Sequence, residues 1–381
     1  MKQIFYLSIL SVLILSCSNG KSFESLTESA AITVHLDSIQ YVALKISNIR
    51  YIPLETTDEC LLGYADKILI RNNRIYVADF SKAMSLFVFD MNGKYLFKIN
   101  KRGQGPGEYI SFRDFDIQNN KELYMFDHFG KKLLIFDSEG KYLRDIIFEF
   151  SFRSFCLAED KIYMSEIRGT DGNKVAALAL YDIENGKTTF LMDNKKFLYT
   201  IPVSNSSYTF YYSPNTIYHA PKLSETIYSV TNDSIFPAIT IKGLPAIPID
   251  LLEQWEAETD QNVRSANFTN SNYFLGNSYI YETDDYISLQ YQLGMNPNDL
   301  LYNKHTQKAY KLLFPYFKAI GHYCIRGSTG TEFFSVVSFD ADNDYHKKIL
   351  ESREELKNWD EEDNPVIVIF DLDMQSPEPL K

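Results

Sequence analysis

A phrase of about 47 residues recurs along the chain, and no other feature limits the possible folds as strongly. Residues 85–99 read SLFVFDMNGKYLFKI and residues 132–146 read KLLIFDSEGKYLRDI. Each is an apolar strand, an Asp-x-x-Gly-Lys turn and a second strand. Gly93 and Gly140 lie 47 positions apart. Gly186, in YDIENGK, follows 46 later with one extra turn residue, and Asp233, in IYSVTNDSI, another 47 later. Glycine or Asn/Asp at that place supplies the positive φ that tight hairpins need. A second phrase precedes each hairpin: a polar residue, an apolar residue, then Tyr. It reads RIYVAD (74–79), ELYMFD (122–127), KIYMS (161–165) and TIYH (216–219).

A period of this length fits the four strands of a propeller blade. The 27 Tyr and 27 Phe suit pleated, packed surfaces. Leu86–Phe89 is apolar on both faces, as in a strand between neighbouring blades, and Tyr95–Ile99 begins to alternate, as in an outer strand. The expected fold is therefore all-β: a six-bladed β-propeller of four-stranded blades. The blades fall at about 61–100, 109–150, 151–198, 199–244, 266–315 and 316–373.

Two short helical insertions interrupt this pattern. One helix is expected at Asp250–Ala257. The other is expected to be capped by Asp344 and to run to about Trp359, with Tyr345, Ile349, Leu356 and Trp359 near one face. The last strand, 366–372, needs a partner. Ile49–Glu55 is the expected one, an N-terminal strand that closes the ring and removes an exposed edge.

The chain's beginning has a processing logic. Lys2 precedes an almost wholly apolar run from Ile4 to Leu15, which has the length of a signal-peptide core and is short for a membrane span. Ile14-Leu15-Ser16-Cys17 resembles a bacterial lipobox. That resemblance implies a signal peptide at 1–16 and lipid on Cys17, with stable anchoring from two or more acyl chains. Residues 17–45 then form a lipidated N-terminus and polar tether leading into a strand at Ile32–Leu36, and 46–381 the propeller. The expected address is the bacterial outer membrane. The stretch after Cys17, SNGKS, leaves the side of the membrane open.

The wider pattern resembles the NHL-like six-bladed β-propeller lipoproteins of Gram-negative bacteria. The residues that carry the resemblance are YIPLE (51–55), GQGPGEY (103–109), the Asp-x-x-Gly-Lys turns and NPVIV (364–368). It spans about Ile46 to Asp373 and implies fold and lipoprotein status, with little chemistry.

Composition narrows the function further. With 38 basic and 50 acidic residues the formal charge is −12, which disfavours binding to nucleic acid. Cys60, Cys156 and Cys324 are widely spaced without a CxxC pair, so buried free thiols are expected, not a disulfide framework or a zinc site. No cofactor and no metal is expected. Asp340–Asp344 resembles the opening of a calcium loop, but Tyr345 stands where that loop requires Gly.

Candidate binding residues come from four places. The glycine-rich stretch 103–107, with Arg102, Glu108 and Tyr109, could turn backbone amides toward a carboxylate or sugar acid, or could simply link two blades. Asp127 and His128 end a repeated phrase, where strands lead into loops. Tyr211 belongs to an aromatic run, 208–212, that like a second run at 279–286 could stack on sugars or peptide side chains, or could simply pack within the blades. His219 ends the fourth repeated phrase. No catalytic constellation is recognisable. The expected function is a monomeric, membrane-anchored binding or scaffolding protein for a glycan, a peptide or an envelope protein. The alternative is a glycan lyase or hydrolase with its site at the channel mouth.

Overall fold

The computed structural model describes residues 31–42, 44–118, 122–169, 174–192, 208–213, 216–231, 234–312, 325–340 and 342–374. The expected signal peptide at 1–16, Cys17 and Cys324 lie outside them. Three strands precede the first repeat: β1 (Ile32–His35), β2 (Gln40–Val42) and β3 (Leu44–Pro53). Blade I is β4 (Lys67–Arg71), β5 (Arg74–Asp79), β6 (Ser85–Asp90) and β7 (Tyr95–Ile99). Blade II is β8 (Phe112–Ile117), β9 (Leu123–Asp127), β10 (Lys132–Phe136) and β11 (Tyr142–Ile147). Blade III is β12 (Ser154–Ala158), β13 (Lys161–Arg168), β14 (Lys174–Asp182) and β15 (Thr188–Met192). Blade IV is β16 (Phe210–Ser213), β17 (Thr216–His219), β18 (Thr226–Thr231) and β19 (Ser234–Lys242). Blade V is β20 (Phe274–Glu282), β21 (Tyr286–Leu293), β22 (Asn296–Asn303) and β23 (Lys308–Leu312). Blade VI is β24 (Gly327–Ser328), β25 (Phe333–Val337) and β26 (Val366–Met374), with β3 as its outermost strand. The protein is a six-bladed β-propeller closed by its N-terminal strand, with Ile52 opposite Ile367 and Pro53 opposite Val366.

The repeated residues have plain chemical jobs. Asp90 Oδ1 accepts the amides of Asn92 and Lys94 at 2.8 and 2.9 Å, and Asp137 Oδ1 does the same for Glu139 and Lys141 at 2.9 Å each. Gly93 sits at φ +81°, and a Cβ there would meet the Pro53 carbonyl oxygen at 2.0 Å. The first hairpin thus presses on the closing strand, where a side chain has no room. The phrase tyrosines Tyr76, Tyr124, Tyr163 and Tyr218 are all buried.

The core is a set of apolar wedges between adjacent blades. One packs Leu86 and Val88 against Phe115 and Leu134, and another packs Phe126 and Leu133 against Phe155 and Ile162. At the ring's junction Phe87 and Ile75 meet Phe334 and Ile367. Buried charges add rungs near the channel. Lys67 Nζ donates to Asp114 Oδ1 at 2.6 Å, and the other oxygen of Asp114 accepts the Phe155 amide at 3.0 Å. Arg71, Asp116 and the Leu157 amide repeat the pattern. Each rung ties three inner strands and satisfies the charges it buries.

Several expectations need correction. The strand expected at 32–36 forms, but not as the end of a tether: β1 pairs in parallel with β19, and β2 with β23. The ring therefore starts before residue 46: its N-terminal segment adds a fifth strand to blades IV and V and then supplies the fourth strand of blade VI. Helix α1 spans Ile249–Ala257 as anticipated, and a second helix, α2 (Gln261–Thr269), follows, capped by Asp260. Helix α3 (Asp344–Ser352) is capped by Asn343, not Asp344, and stops well before Trp359. Its buried residue is His346, whereas Tyr345 is exposed. The Asp340 amide donates to His346 Nδ1 at 2.9 Å, so this acidic stretch forms a helix start. Cys60 and Cys156 are free and buried. No helix among the described residues is long and apolar enough to cross a membrane.

Candidate functional site

The loops that enter the blades gather at one mouth of the central channel. There they enclose an open cavity of about 1040 Å³, at the upper end of small-ligand sites. Each inner strand sends one residue toward it: Asp66, Arg113, Arg153, Tyr208, Tyr279 and Arg326, blade by blade. The positions match in register. The amides of Asp66, Arg153 and Arg326 each donate to the second strand of their own blade, at Ala78, Ser165 and Phe334. Tyr279 reaches the mouth by a different route, at a β-bulge with φ +51°.

Blades II and III build a basic wall on this cavity from Arg113, Arg153, Arg168 and the half-buried His128. Among the described residues neither Arg113 nor Arg168 forms an ion pair. Arg153 lies 3.7 Å from Glu166, which also meets Lys222 at 3.3 Å. Glu166 occupies the repeat position held by Asp79 and Asp127, but at φ +50° it turns away from that role. Burial pulls the Lys222 ammonium below lysine's usual range, with Glu166 opposing. Burial also lowers the His128 pKa, and Arg113 and Arg168 add to the effect. His128 Nδ1 lies 3.3 Å from the Phe152 carbonyl oxygen. The opposite lip carries Glu361, Glu362 and Asp363. The cavity thus carries both signs: cationic at blades II and III, and on the blade VI side three acids with Arg326 among the lining.

The candidates expected from sequence do not converge here. His128 lines the cavity, as do Tyr208 and Tyr279 from the aromatic runs, but the other candidate residues do not. Arg102 is exposed in the link between blades I and II, bridged to Tyr109. The glycine-rich stretch is no anion cradle. Glu108 Oε2 itself accepts the Gly105 amide at 2.8 Å, and a Cβ on Gly103 would strike that oxygen at 2.0 Å. Tyr109 is buried and donates to the Met84 carbonyl at 2.5 Å, its phenol pushed up to about 12 by burial. Asp127 is fully buried and accepts the amides of Ile110, Ser111 and Gly130 and the Ser111 hydroxyl. Tyr211 is buried along the channel, its hydroxyl on the Tyr208 carbonyl at 3.0 Å.

His219 is buried inside blade IV, 4.9 Å from the Phe210 ring and beside the Thr209 backbone. Burial pulls its pKa from 6.5 to about 3. The unfolded chain protonates this imidazole near pH 6.5 while the fold resists, so below that pH the unfolded state binds more protons and stability falls. The expected cost on going from pH 6.5 to 5 is about 2 kcal/mol. His219→Leu should flatten that part of the profile in urea unfolding at pH 7.5 and 5. An unchanged slope would show that the ring is not held neutral.

Arg113, Arg153, Arg168 and Arg326 were not singled out from the sequence. The signal lies in the repeat's phase: Phe112-Arg113, Phe152-Arg153 and Ile325-Arg326 stand where Ala65-Asp66 stands in blade I. That is visible only once strand register fixes which residue of each repeat faces the channel.

A family profile described as a domain of unknown function (DUF4934) matches residues 31–371. No match is found among curated proteins. Among solved structures, the chain is similar to a Bacteroides fragilis protein described as exported, with 21% identity over 91% of this chain and 100% of that one, and a TM-score of 0.72. It is also similar to a member of the DUF4221 family from Bacteroides vulgatus, with 11% identity, coverage of 89% and 99%, and a TM-score of 0.50. A virginiamycin B lyase from Staphylococcus aureus matches with 11% identity, coverage of 75% and 81%, and a TM-score of 0.41. At these identities the likeness concerns the fold alone.

Proposed function

We propose that this chain, which belongs to the DUF4934 family, is an exported, lipid-anchored envelope protein that holds a ligand by a carboxylate at the arginine wall of its channel mouth. The observation that carries this reading is the wall itself. Among the described residues Arg113 and Arg168 stand without ion pairs around an open cavity, in a chain whose formal charge is −12. Guanidinium groups take carboxylates in paired, charge-assisted hydrogen bonds, and an acidic protein does not hold unpaired arginines together without a cost in mutual repulsion. A binding role is favoured over a glycan lyase or hydrolase. Asp127 is occupied by four donors and His219 is enclosed in its blade, which leaves His128 without a second proton carrier from that set.

The apolar run before Cys17 and the fold shared with an exported protein support the address. The likeness to NHL-like lipoproteins belongs to the same reading. Cys17→Ala should release the chain from the membrane fraction; retention through an uncleaved leader would contradict the anchor.

The binding claim is tested with matched probes on the full chain in detergent: N-acetyl-leucine against its amide, and galacturonate against galactose. In at least one pair the acid should bind about tenfold tighter or more, and its affinity should fall with salt. Equal binding of acids and neutral partners would overturn the reading.

A further inference from the structure

The face around the arginine wall carries a second feature that carboxylate binding leaves unused. Four large apolar side chains stand in solvent there: Phe129 at 65% exposure, Tyr64 at 59%, Leu61 at 53% and Ile110 at 45%. They belong to the loops of blades I and II. Tyr64 and Phe129 line the cavity. Ile110 and Phe129 are fixed side by side, since the Ile110 amide donates to Asp127 at 2.9 Å and the Phe129 amide to the Ser111 hydroxyl at 3.0 Å. The Tyr64 amide is held by Asp79 at 3.0 Å. These loops are therefore rigidly clamped from beneath while their apolar tips are presented to water, the pattern of a contact surface.

We propose that the ligand is a peptide segment carrying a single carboxylate, which enters the arginine wall while neighbouring apolar side chains cover Phe129, Ile110 and Tyr64. This rests on the carboxylate reading above. Two observations select a peptide over an acidic polysaccharide. Sugar rings stack on flat aromatic faces, whereas Leu61 and Ile110 offer branched aliphatic surface that suits apolar side chains. The acidic lip at Glu362 and Asp363 also disfavours a ligand that places a second carboxylate against it. A polyuronate carries a carboxylate on every ring and meets that lip. A peptide with one carboxylate does not, and a cationic group further along it would be drawn to the same lip. The carboxylate can come from a C-terminus or from a Glu side chain.

Isothermal titration of the full chain in detergent tests this with four probes: an acetylated Leu-Phe-Leu-Leu peptide with a free C-terminus, its C-terminal amide, an amidated version with one internal Glu, and trigalacturonate. The expected order places one or both carboxylate peptides at least tenfold tighter than the neutral amide and than trigalacturonate. Which of the two binds identifies the source of the carboxylate. Phe129→Ser and Ile110→Ser, both at exposed positions, should each weaken the peptide about fivefold or more without moving the thermal midpoint. Tighter binding of trigalacturonate, or peptide binding indifferent to both substitutions, would overturn the peptide proposal and leave the carboxylate reading standing. Equal binding of the acid and amide peptides would overturn both.

Discussion

Asp127→Ala is expected to destabilise the fold by about 3–5 kcal/mol. The carboxylate is fully buried and accepts the amides of Ile110 and Ser111 at 2.9 Å each, the Ser111 hydroxyl at 3.0 Å and the Gly130 amide at 3.1 Å. Truncation strands three amides around a fully buried side chain, and each donor orphaned away from water costs about 1–3 kcal/mol. Asp127→Asn keeps the shape and one acceptor oxygen, so about half the loss is expected. Blade I supplies a built-in comparison. Asp79 accepts the amides of Gly63, Tyr64, Ser81 and Lys82 in the same way, and Asp79→Ala should cost a similar amount. Urea unfolding reads both losses as a lower midpoint at unchanged slope. A loss under about 1 kcal/mol at both positions would mean that water or loop movement replaces the clamp.

The second large effect falls at the ring's closure. Asn364 is buried, and its side chain donates to the carbonyls of Glu55 and Cys60 at 2.7 and 2.8 Å while its oxygen accepts the Leu62 amide at 2.8 Å. Its own amide donates to the Thr56 hydroxyl at 2.8 Å. One side chain thus fixes the crossing where the chain leaves blade VI, by way of β3, and enters blade I. Asn364→Ala is expected to cost about 3 kcal/mol. It should also act locally, speeding amide exchange in β3 at Arg50 and Ile52 while leaving β13 in blade III protected. Uniform exchange throughout the ring would show that closure and blades open as one unit.

The fold was legible because its signals are local. A turn that needs positive φ at Gly93 and Gly140, and a buried Tyr in the second strand of each of blades I to IV, leave marks within a few residues, and their spacing then counts the blades. Asn364-Pro365 was legible as part of a family pattern, though its role as a fastener was not. The edge pairing of β1 and β2 was missed because a short strand preceding the repeats does not say which blade it will join. The glycine-rich stretch misled for a related reason. Glycines that free backbone amides serve an external anion and an internal Glu108 equally well in sequence terms, and only the fold shows Glu108 filling the space. The basic wall was the least legible part. Arg113, Arg153 and Arg168 come from different strands of two blades, separated by tens of residues, and Glu166 joins them by departing from the repeat that Asp79 and Asp127 obey.

The most direct test of the central claim is the affinity of the Arg113→Gln/Arg168→Gln double variant for N-acetyl-leucine and galacturonate, measured by titration on the full chain beside the unaltered protein. Both side chains line the open cavity and form no ion pair among the described residues, so their exchange should leave the unfolding midpoint in place. A carboxylate reading predicts that the dissociation constant of the bound acid rises about 100-fold, or about 2.7 kcal/mol, and that its salt dependence disappears. A dissociation constant within threefold of the unaltered protein's, with the salt dependence retained, would contradict it.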